Sequence, residues 1–574
     1  MRDPSVSRYE ASRLNPGRRR ADVARLRSRR FDVLVIGGGV TGAGVALDAA
    51  ARGLSVALVE ARDLAAGTSS RSTKLVHGGL RYLEQAEFGL VHEALTERDL
   101  LADRLAPHLV RPVPILLPLP AGPLPMRVGR RCYYGAGVAL YDGFAGLLGR
   151  AGGMPRHRHL SAAATRRLFP SLRPEAAVGA IRFYDGQVDD ARLVLTLART
   201  AASLGAVVVS RTSAIGLLRR AREVTGARVH DHESGAEYDV AARTVVAATG
   251  VWSDEITAML PDARPGLRVR ASKGVHLVVP RGTISGQAGL IMRTASSVLF
   301  VLPWGGHWII GTTDTDWPLP RDDPRATAHD IGYLLGQVNQ VLDRPLATTD
   351  IEGVYAGLRP LLAGEDEATS ALSREHAVVE PMLGLFLVAG GKLTTYRAMA
   401  ADVVDRVARR LGGVIRGCPT DRLPLLGADG YAALWRDRSG VARRFRLEVG
   451  VVEHLLERYG SLVTQVLELV RQQPEWARPV AGAPEYLAAE VVYAARAEGA
   501  LHLSDVLTRR TRISFETAHR GVESAPDAAA LLGAELGWSP AQLRQEVDRY
   551  AARVTAERAT ERAVSAEPAV AVWS

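Results

Sequence analysis

A glycine-rich junction near the start of the chain limits most strongly what this sequence can fold into. Residues 31–36 read Phe-Asp-Val-Leu-Val-Ile, a pattern typical of a buried strand, and Gly37-x-Gly39-x-x-Gly42 follows directly. A run of small, helix-compatible residues, 43–50, comes next. Glycines at this spacing permit a tight turn and let backbone N–H groups approach a pyrophosphate at the positive end of the helix. An ordinary glycine-rich turn is the alternative, but the context favours a dinucleotide-binding βαβ unit.

A carboxylate at the end of the second predicted strand supports the same interpretation. The apolar stretch 56–59 ends in Glu60, which lies 18 residues after Gly42. An acid at this place accepts hydrogen bonds from ribose hydroxyls and repels a 2′-phosphate. The pattern therefore predicts FAD or NAD as the ligand, and not NADP.

Three later segments favour the flavin over the nicotinamide cofactor. Residues 68–83 carry hydroxyls, glycines and cationic groups, and strand-to-glycine junctions follow at 244–250 and 385–396. Each junction alone is typical of a structural turn, but a flavin needs such a distributed cradle, including a helix N-terminus near its pyrimidine edge. The predicted FAD-binding residues are Gly37, Gly39, Gly42, Glu60, Thr68, Ser69, Ser70, Lys74, His77, Gly78, Gly250, Gly391, Lys392 and Thr394.

Seven blocks of the sequence together match one known pattern. They are Ile36–Gly44, Thr68–Leu83, Val188–Arg192, Ala271–His276, Ile310–Asp314, Gly357–Pro360 and Gly390–Tyr396. In these blocks, and from about residue 30 to about residue 555, the chain resembles the FAD-dependent glycerol-3-phosphate dehydrogenases of the aerobic, respiratory bacterial kind. The resemblance implies FAD as cofactor, glycerol 3-phosphate as substrate and electron delivery to membrane quinone.

The chemistry of alcohol oxidation selects candidate site residues within these blocks. Hydride transfer from a secondary alcohol to flavin N5 requires a base for the hydroxyl proton and cations for an anionic handle. His276 lies on an alternating stretch that predicts a strand facing a cavity, and the resemblance favours a base over a structural histidine. Arginines suit a phosphate clamp because a guanidinium binds phosphate in a bidentate fork. The predicted catalytic residues are His276, Lys392 and Arg359, the last in a turn, and the predicted substrate-binding residues are Arg81, Tyr82, Lys273, Arg359 and Arg374.

The element pattern predicts an α/β fold with three parts. These are a Rossmann-like FAD-binding domain, an antiparallel β-sheet substrate cap and a C-terminal α-helical domain. A basic, disordered extension precedes them and a disordered tail follows. The predicted ranges are 1–30 for the extension, 31–105 with 185–265 and 355–410 for the FAD domain, 106–184 with 266–354 for the cap, 425–560 for the helical domain and 561–574 for the tail.

Composition limits the cellular compartments and the kinds of binding partner that we expect for this protein. Two cysteines in 574 residues exclude a disulfide framework, and no metal-ligand spacing is present, so we expect a reducing cytoplasm and no metal site. A net charge of +10 favours anionic partners. The sequence contains no uninterrupted apolar run of about 18 residues, so we expect no transmembrane helix. The basic, apolar segment 126–148 has two interpretations, burial inside the cap or contact with an anionic membrane surface.

Together with the family resemblance, these features predict a cytoplasmic enzyme, peripherally attached to the inner face of the cell membrane; the resemblance implies that it oxidises glycerol 3-phosphate and reduces quinone. An oxidase that passes electrons to oxygen and releases hydrogen peroxide is the first alternative. A flavin-containing RNA-binding protein is the second, although no basic tract interleaved with aromatic residues supports it and we expect no nucleic-acid partner. Oligomeric state stays open, a homodimer included.

Overall fold

The computed structural model describes residues 4–83, 87–121, 123–146, 154–260, 267–294, 298–362 and 376–563. The strands are β1 (Arg30–Ile36), β2 (Val56–Val59), β3 (Leu75–Val76), β4 (Arg111–Leu119), β5 (Arg158–Ser161), β6 (Gly179–Gln187), β7 (Val207–Val209), β8 (Thr212–Arg220), β9 (Glu223–Asp231), β10 (Ala236–Ala247), β11 (Val269–Pro280), β12 (Gly289–Arg293), β13 (Val298–Trp304), β14 (His307–Gly311), β15 (Thr315–Asp316), β16 (Gly353–Leu362), β17 (His376–Met382), β18 (Leu385–Gly390), β19 (Pro479–Val480) and β20 (Ala483–Leu487). The helices are α1 (Pro4–Ala11), α2 (Pro16–Ser28), α3 (Val40–Ala51), α4 (Phe88–Leu100), α5 (Leu124–Gly146), α6 (Ala162–Leu168), α7 (Asp190–Ser203), α8 (Ser253–Ala258), α9 (Ala328–Val338), α10 (Tyr396–Leu411), α11 (Tyr431–Arg436), α12 (Arg438–Phe445), α13 (Val449–Tyr459), α14 (Val463–Gln472), α15 (Ala488–Ala497), α16 (Leu503–Asp505), α17 (Ile513–Glu516), α18 (Ala525–Leu536) and α19 (Pro540–Arg562).

The first sheet has the order β17-β18-β10-β1-β2-β7, with β9 antiparallel to β10 and β8 antiparallel to β9. Its central strands are parallel, with Ile36 of β1 opposite Ala247 of β10 and Val59 of β2. Helices α3, α7 and α10 cover one face, and residues of α2, α8, β8 and β9 cover the other. Burial on both faces explains why the central strands are apolar without alternation. The carboxyl ends of β1, β2, β10 and β18 meet at one edge, which is the ligand-binding edge of such sheets. The Rossmann-like prediction is confirmed.

The second sheet has the order β15-β11-β14-β13-β12-β4-β6-β3, with β16 beside β11 and β5 beside β6. Its pairs are antiparallel except β4 with β12, as predicted for the cap. The sequence-based boundary at 355 is wrong, because β16 pairs along its length with β11 and so belongs to this sheet. Arg359 therefore lies on a strand, and not in the predicted turn.

Residues 4–28 form helices α1 and α2, so the predicted disordered extension is also wrong for this part of the chain. Asn15 caps α2 by accepting a hydrogen bond from the Arg18 amide, and Leu26 is fully buried. The arginines are not simply solvated. Arg18 pairs with buried Asp22, and Arg19 pairs with Asp231, a residue more than two hundred positions away that the local sequence does not reveal.

The C-terminal region is helical, as predicted, and Gly460 separates α13 from α14 with a φ of +57°. Buried ion pairs join it to the rest of the chain: Arg512 with Asp189 and Asp190, Arg510 with Asp63, and Glu498 with Arg192. Helix α19 extends to Arg562, two residues into the predicted tail, and 564–574 lie outside the described residues.

Helix α5 contains most of the segment 126–148, for which the sequence left open burial inside the cap or contact with a membrane surface. The structure shows features of both interpretations. Val138 and Tyr141 are fully buried, whereas Met126, Val128, Tyr133 and Leu140 are exposed by 39–58%. Among the helices of the described residues, we find none that combines the length and apolar character needed to cross a bilayer.

Candidate active site

A cavity of about 470 Å³ lies where the carboxyl ends of the first sheet meet the face of the second sheet. Residues after β1, β2, β10 and β18 form one wall, and residues of β11 and β16 form the other. The topology of the fold thus brings four strand ends and a strand face around one space. A cofactor bound at the strand ends would lie against a substrate bound at the strand face.

The glycine turn after β1 has little room for side chains. A Cβ at Gly42 would lie 1.9 Å from the Gly37 carbonyl oxygen, so this glycine serves the packing of the turn. Gly37 has a φ of +110°, and a Cβ there would lie 2.6 Å from the Ala248 carbonyl oxygen. Gly37 and Gly39 both border the cavity, and Gly39 lies against the Ser69 hydroxyl. The motif therefore supplies bare backbone to the cavity wall.

Glu60 lies at the carboxyl end of β2, on the wall of the cavity. Its carboxylate accepts hydrogen bonds from the Gly38 amide at 2.6 Å and from the Arg62 amide at 2.8 Å. These bonds hold a negative charge beside the glycine turn, where a ribose acceptor is required. Binding of ribose by Glu60 stays a prediction.

Two further turns complete the cradle, and their polar groups fit FAD. Thr249 and Gly250 follow β10, and Gly391 follows β18; all three line the cavity. The Thr249 hydroxyl is buried and has no hydrogen-bond partner among the residues that the structure describes. A buried polar atom without a partner is unfavourable, which indicates a ligand atom at this point. Gly250 and Gly391 have φ of +57° and +75°, where a side chain would be strained.

The segment 68–83 contributes several cavity residues, held by bonds to other strands. The Thr68 hydroxyl donates to the Leu358 carbonyl at 2.5 Å, and the Thr394 hydroxyl accepts from the His77 amide at 3.0 Å. Of the predicted FAD-binding residues, Gly37, Gly39, Glu60, Thr68, Ser69, His77, Gly250, Gly391, Lys392 and Thr394 line the cavity, and Gly42, Ser70, Lys74 and Gly78 do not.

His276 lies on β11 and faces the cavity. Its Nε2 is 3.0 Å from the Thr73 hydroxyl, and its ring stacks on Tyr355 with centroids 4.8 Å apart at an interplanar angle of 12°. Burial lowers the pKa of His276 well below 6.5, and the positive charges of Arg359 and Lys74 act in the same direction. The imidazole is therefore neutral at pH 7, as a proton acceptor must be.

Arg359 lies on β16 and points to the same cavity as His276. The strand register explains this, because Arg359 is directly opposite Ser272 on β11, an even number of residues from His276. Its guanidinium donates to the Thr312 hydroxyl at 2.9 Å, the Thr313 carbonyl at 3.1 Å and Asp314 at 3.2 Å. The guanidinium is thus fixed along one side.

Lys392 and Tyr82 lie next to each other, with the Lys392 Nζ 3.8 Å from the centroid of the Tyr82 ring. Lys392 also lines the cavity. The structure thus brings two more of the predicted site residues together. Arg374 and the side chain of Arg81 lie outside the part of the chain that the structure describes.

Two predicted lysines point away from the cavity, so their assignment is corrected. Lys273 alternates with the cavity-facing residues of β11, and its Nζ donates to Asp330 at 2.6 Å. Lys74 is fully buried, donates to Asp190 at 2.7 Å, and has its pKa lowered to about 8 because burial disfavours its charge. Each lysine forms an ion pair with a carboxylate that is distant in sequence. The position of the lysine in its motif does not reveal that partner.

Four residues at the site were missed by the sequence analysis. Thr73 contacts His276, Tyr355 stacks on it, and Asp314 holds Arg359. Arg71 lines the cavity, donates to the Ala356 carbonyl at 3.0 Å, and has its pKa lowered to about 10 by burial. Three of the four lie inside the blocks that carry the family resemblance, and Tyr355 lies two residues before one. Position inside or beside those blocks was therefore the signal in the sequence that could have identified these four residues.

Comparisons with known proteins agree with this geometry. Residues 32–406 match the FAD dependent oxidoreductase family, and residues 418–543 match the C-terminal domain of alpha-glycerophosphate oxidase. The chain is 53% identical to glycerol-3-phosphate dehydrogenase 2 of Mycobacterium tuberculosis over 549 residues, which is 96% of this chain and 92% of the relative. It is 52% identical to the glycerol-3-phosphate dehydrogenase of Mycobacterium leprae, over 96% of this chain and 93% of the relative.

A solved structure supports the same conclusion. The glycerol-3-phosphate dehydrogenase from Bacillus halodurans, complexed with FAD, is 28% identical with a TM-score of 0.76, and the match covers 96% of this chain and 98% of the other. The match spans both sheets and the C-terminal helices. This chain therefore belongs to the family of FAD-dependent glycerol-3-phosphate dehydrogenases.

Proposed function

We propose that this protein oxidises sn-glycerol 3-phosphate to dihydroxyacetone phosphate with FAD as its cofactor. The observation that carries the proposal is the placement of His276 and Arg359 on neighbouring strands, facing the cavity that the glycine turn borders. A base and a phosphate-binding cation thus lie in the same cavity as the dinucleotide site. The names of the relatives support the choice of substrate.

Arg359 binds the substrate phosphate. Its guanidinium offers a planar fork of donors, which matches phosphate oxygens better than a point charge does. The bonds to Thr312 and Asp314 fix the fork, so little side-chain entropy is lost when the anion binds. Lys392, on the same cavity wall as the flavin cradle, places a second cation near the substrate oxygen.

His276 takes the proton of the C2 hydroxyl as a hydride leaves C2. FAD held by the turns after β1, β10 and β18 would supply the acceptor for that hydride, so the alcohol would lose two electrons and become a ketone. Because burial lowers the pKa of His276, its imidazole is neutral at physiological pH, which is the protonation state that a proton acceptor requires. The stack with Tyr355 and the bond to Thr73 hold the ring in one orientation.

Anaerobic reduction of the purified holoenzyme tests the reaction. We expect glycerol 3-phosphate to bleach the flavin absorption and to yield one equivalent of dihydroxyacetone phosphate per flavin. Glycerol, which lacks the anionic handle, serves as the matched control and should reduce the flavin poorly. Equal reduction by both compounds would contradict a phosphate-recognising site.

We further propose that the electrons pass to membrane quinone, and that helix α5 attaches the protein to an anionic membrane surface. Its exposed apolar residues Met126, Val128, Tyr133 and Leu140 support the attachment. Co-sedimentation with anionic vesicles should weaken in Tyr133→Ser with Met126→Ser. Comparing reduction of a quinone analogue with hydrogen peroxide release distinguishes a dehydrogenase from an oxidase.

A further inference from the structure

Tyr355 contacts both His276 and the segment that carries Thr73. It lies directly opposite His276 in the register of β11 and β16, so both side chains point to one face. Its ring stacks on the imidazole, and its hydroxyl donates to the Ser72 carbonyl at 3.0 Å. The next residue, Thr73, has its hydroxyl 3.0 Å from His276 Nε2. Two contacts of one side chain thus converge on one imidazole, one of them direct and one through the backbone.

Residues behind Tyr355 pack against its ring. Phe515, from the C-terminal helices, packs on the ring with centroids 5.2 Å apart. The Lys74 Nζ lies 5.0 Å from the centroid of Tyr355 and is itself held by Asp190. Burial raises the pKa of Tyr355 well above 10, so its hydroxyl stays protonated and can donate. The C-terminal region therefore supports the wall on which His276 rests.

We propose that Tyr355 is a positioning residue that fixes the orientation of His276, directly through the stacked ring and indirectly by anchoring the Ser72–Thr73 backbone. The proposal rests on the role of His276 in the proposed function. It predicts that the Tyr355 hydroxyl acts only through Thr73. The two positions should consequently show coupled effects and not independent ones.

A double-mutant cycle with Tyr355→Phe and Thr73→Val tests this coupling in the holoenzyme. Tyr355→Phe keeps the stack and loses the hydroxyl, so we expect flavin reduction by glycerol 3-phosphate to slow about 3- to 10-fold, the range for one neutral hydrogen bond. The KM should stay within twofold, because Arg359 is untouched. The double variant should be no slower than Thr73→Val alone. Multiplying effects, or a loss that falls on KM, would overturn the proposal.

Tyr550→Phe is the matched control. Tyr550 is a buried tyrosine whose hydroxyl also donates to a backbone carbonyl, that of Arg520 at 2.7 Å, among the C-terminal helices. This variant should lower stability as much as Tyr355→Phe does and leave flavin reduction unchanged. If both variants slowed reduction equally, the effect of Tyr355→Phe would be one of general stability, and the proposal would fail.

A readout that does not use activity separates this proposal from the proposed function. In Tyr355→Leu, which also loses the stack, His276 should be modified by diethyl pyrocarbonate at least threefold faster, measured by peptide mass spectrometry. The rate at buried His108 is the internal reference. Unchanged labelling of His276 would refute the positioning role. If His276→Gln left flavin reduction unchanged while Tyr355→Leu still accelerated labelling, the base assignment would be wrong and the contact between the two rings would stand.

Discussion

Replacement of Arg359 gives the sharpest test of phosphate recognition. In Arg359→Ala the cavity loses its fixed guanidinium, and the nearly buried Asp314, 3% exposed, loses its cation. A charge-assisted hydrogen bond contributes about 1.5–3 kcal/mol, which corresponds to about one to two decades in kcat/KM. Arg359→Lys keeps the charge but loses the fork, so its loss should be smaller.

The measurement is stopped-flow reduction of the flavin over a range of glycerol 3-phosphate concentrations, repeated with glycerol. The loss in Arg359→Ala should appear with the phosphorylated substrate and be small with glycerol. Free guanidinium ion should restore part of the rate in Arg359→Ala. Arg270→Ala is the matched control, because Arg270 lies on the neighbouring strand but forms an exposed pair with Asp316 outside the cavity.

Stability must be followed in the same variants, since an unpaired buried carboxylate is destabilising. Arg359→Ala with Asp314→Asn removes that charge and should recover thermal stability without recovering activity. Equal losses with glycerol and glycerol 3-phosphate would refute the phosphate assignment. So would full recovery of activity in the double variant.

Three other outcomes follow from the same structure. His276→Gln should retain FAD and slow flavin reduction by a factor of about 10² to 10⁴. Because the pKa of His276 is lowered, the rate of flavin reduction in the parent should fall only below pH 6.5, and this acid limb of the pH profile should be absent from the variant. Gly39→Val should fold and purify without flavin, since Gly39 borders the cavity, whereas Gly42→Val should reduce stability itself; yellow, stoichiometric flavin in Gly39→Val would contradict the cofactor placement. Burial acts to lower the pKa of His502, but its hydrogen bonds to Glu233 and Glu546 outweigh burial and raise that pKa to about 9. This stabilising contribution is complete below pH 6.5 and lost as pH rises through about 9, so His502→Gln should lower the free energy of unfolding at pH 7 by about 1–3 kcal/mol and have little effect at pH 10. Urea unfolding at the two pH values measures the difference.

The cofactor half of the site was predictable from sequence because its signals are local. A buried strand, three glycines at fixed spacing and an acid after the next strand lie within 30 residues, from Phe31 to Glu60. Backbone geometry forces such a segment into one turn beside one helix end. The structure adds which glycine serves packing, because the close approach of the Gly37 carbonyl to Gly42 is visible only in three dimensions.

The proposed substrate side of the cavity was predictable only in part. Residue types and motif position selected His276 and Arg359, but the register of β11 against β16 decides that they share a face and that Lys273 does not. Likewise, Lys74 lies within a cofactor motif, yet its partner Asp190 is more than a hundred residues away and holds it out of the cavity. Residues 4–28 are likewise joined to the rest of the fold by a distant carboxylate, Asp231, which pairs with Arg19. The sequence alone determined which catalytic and cationic side chains the chain possesses. Strand pairing and long-range ion pairs decided where those side chains point. The reason is that strand pairing and ion pairing both depend on distant residues, which the local sequence pattern does not contain.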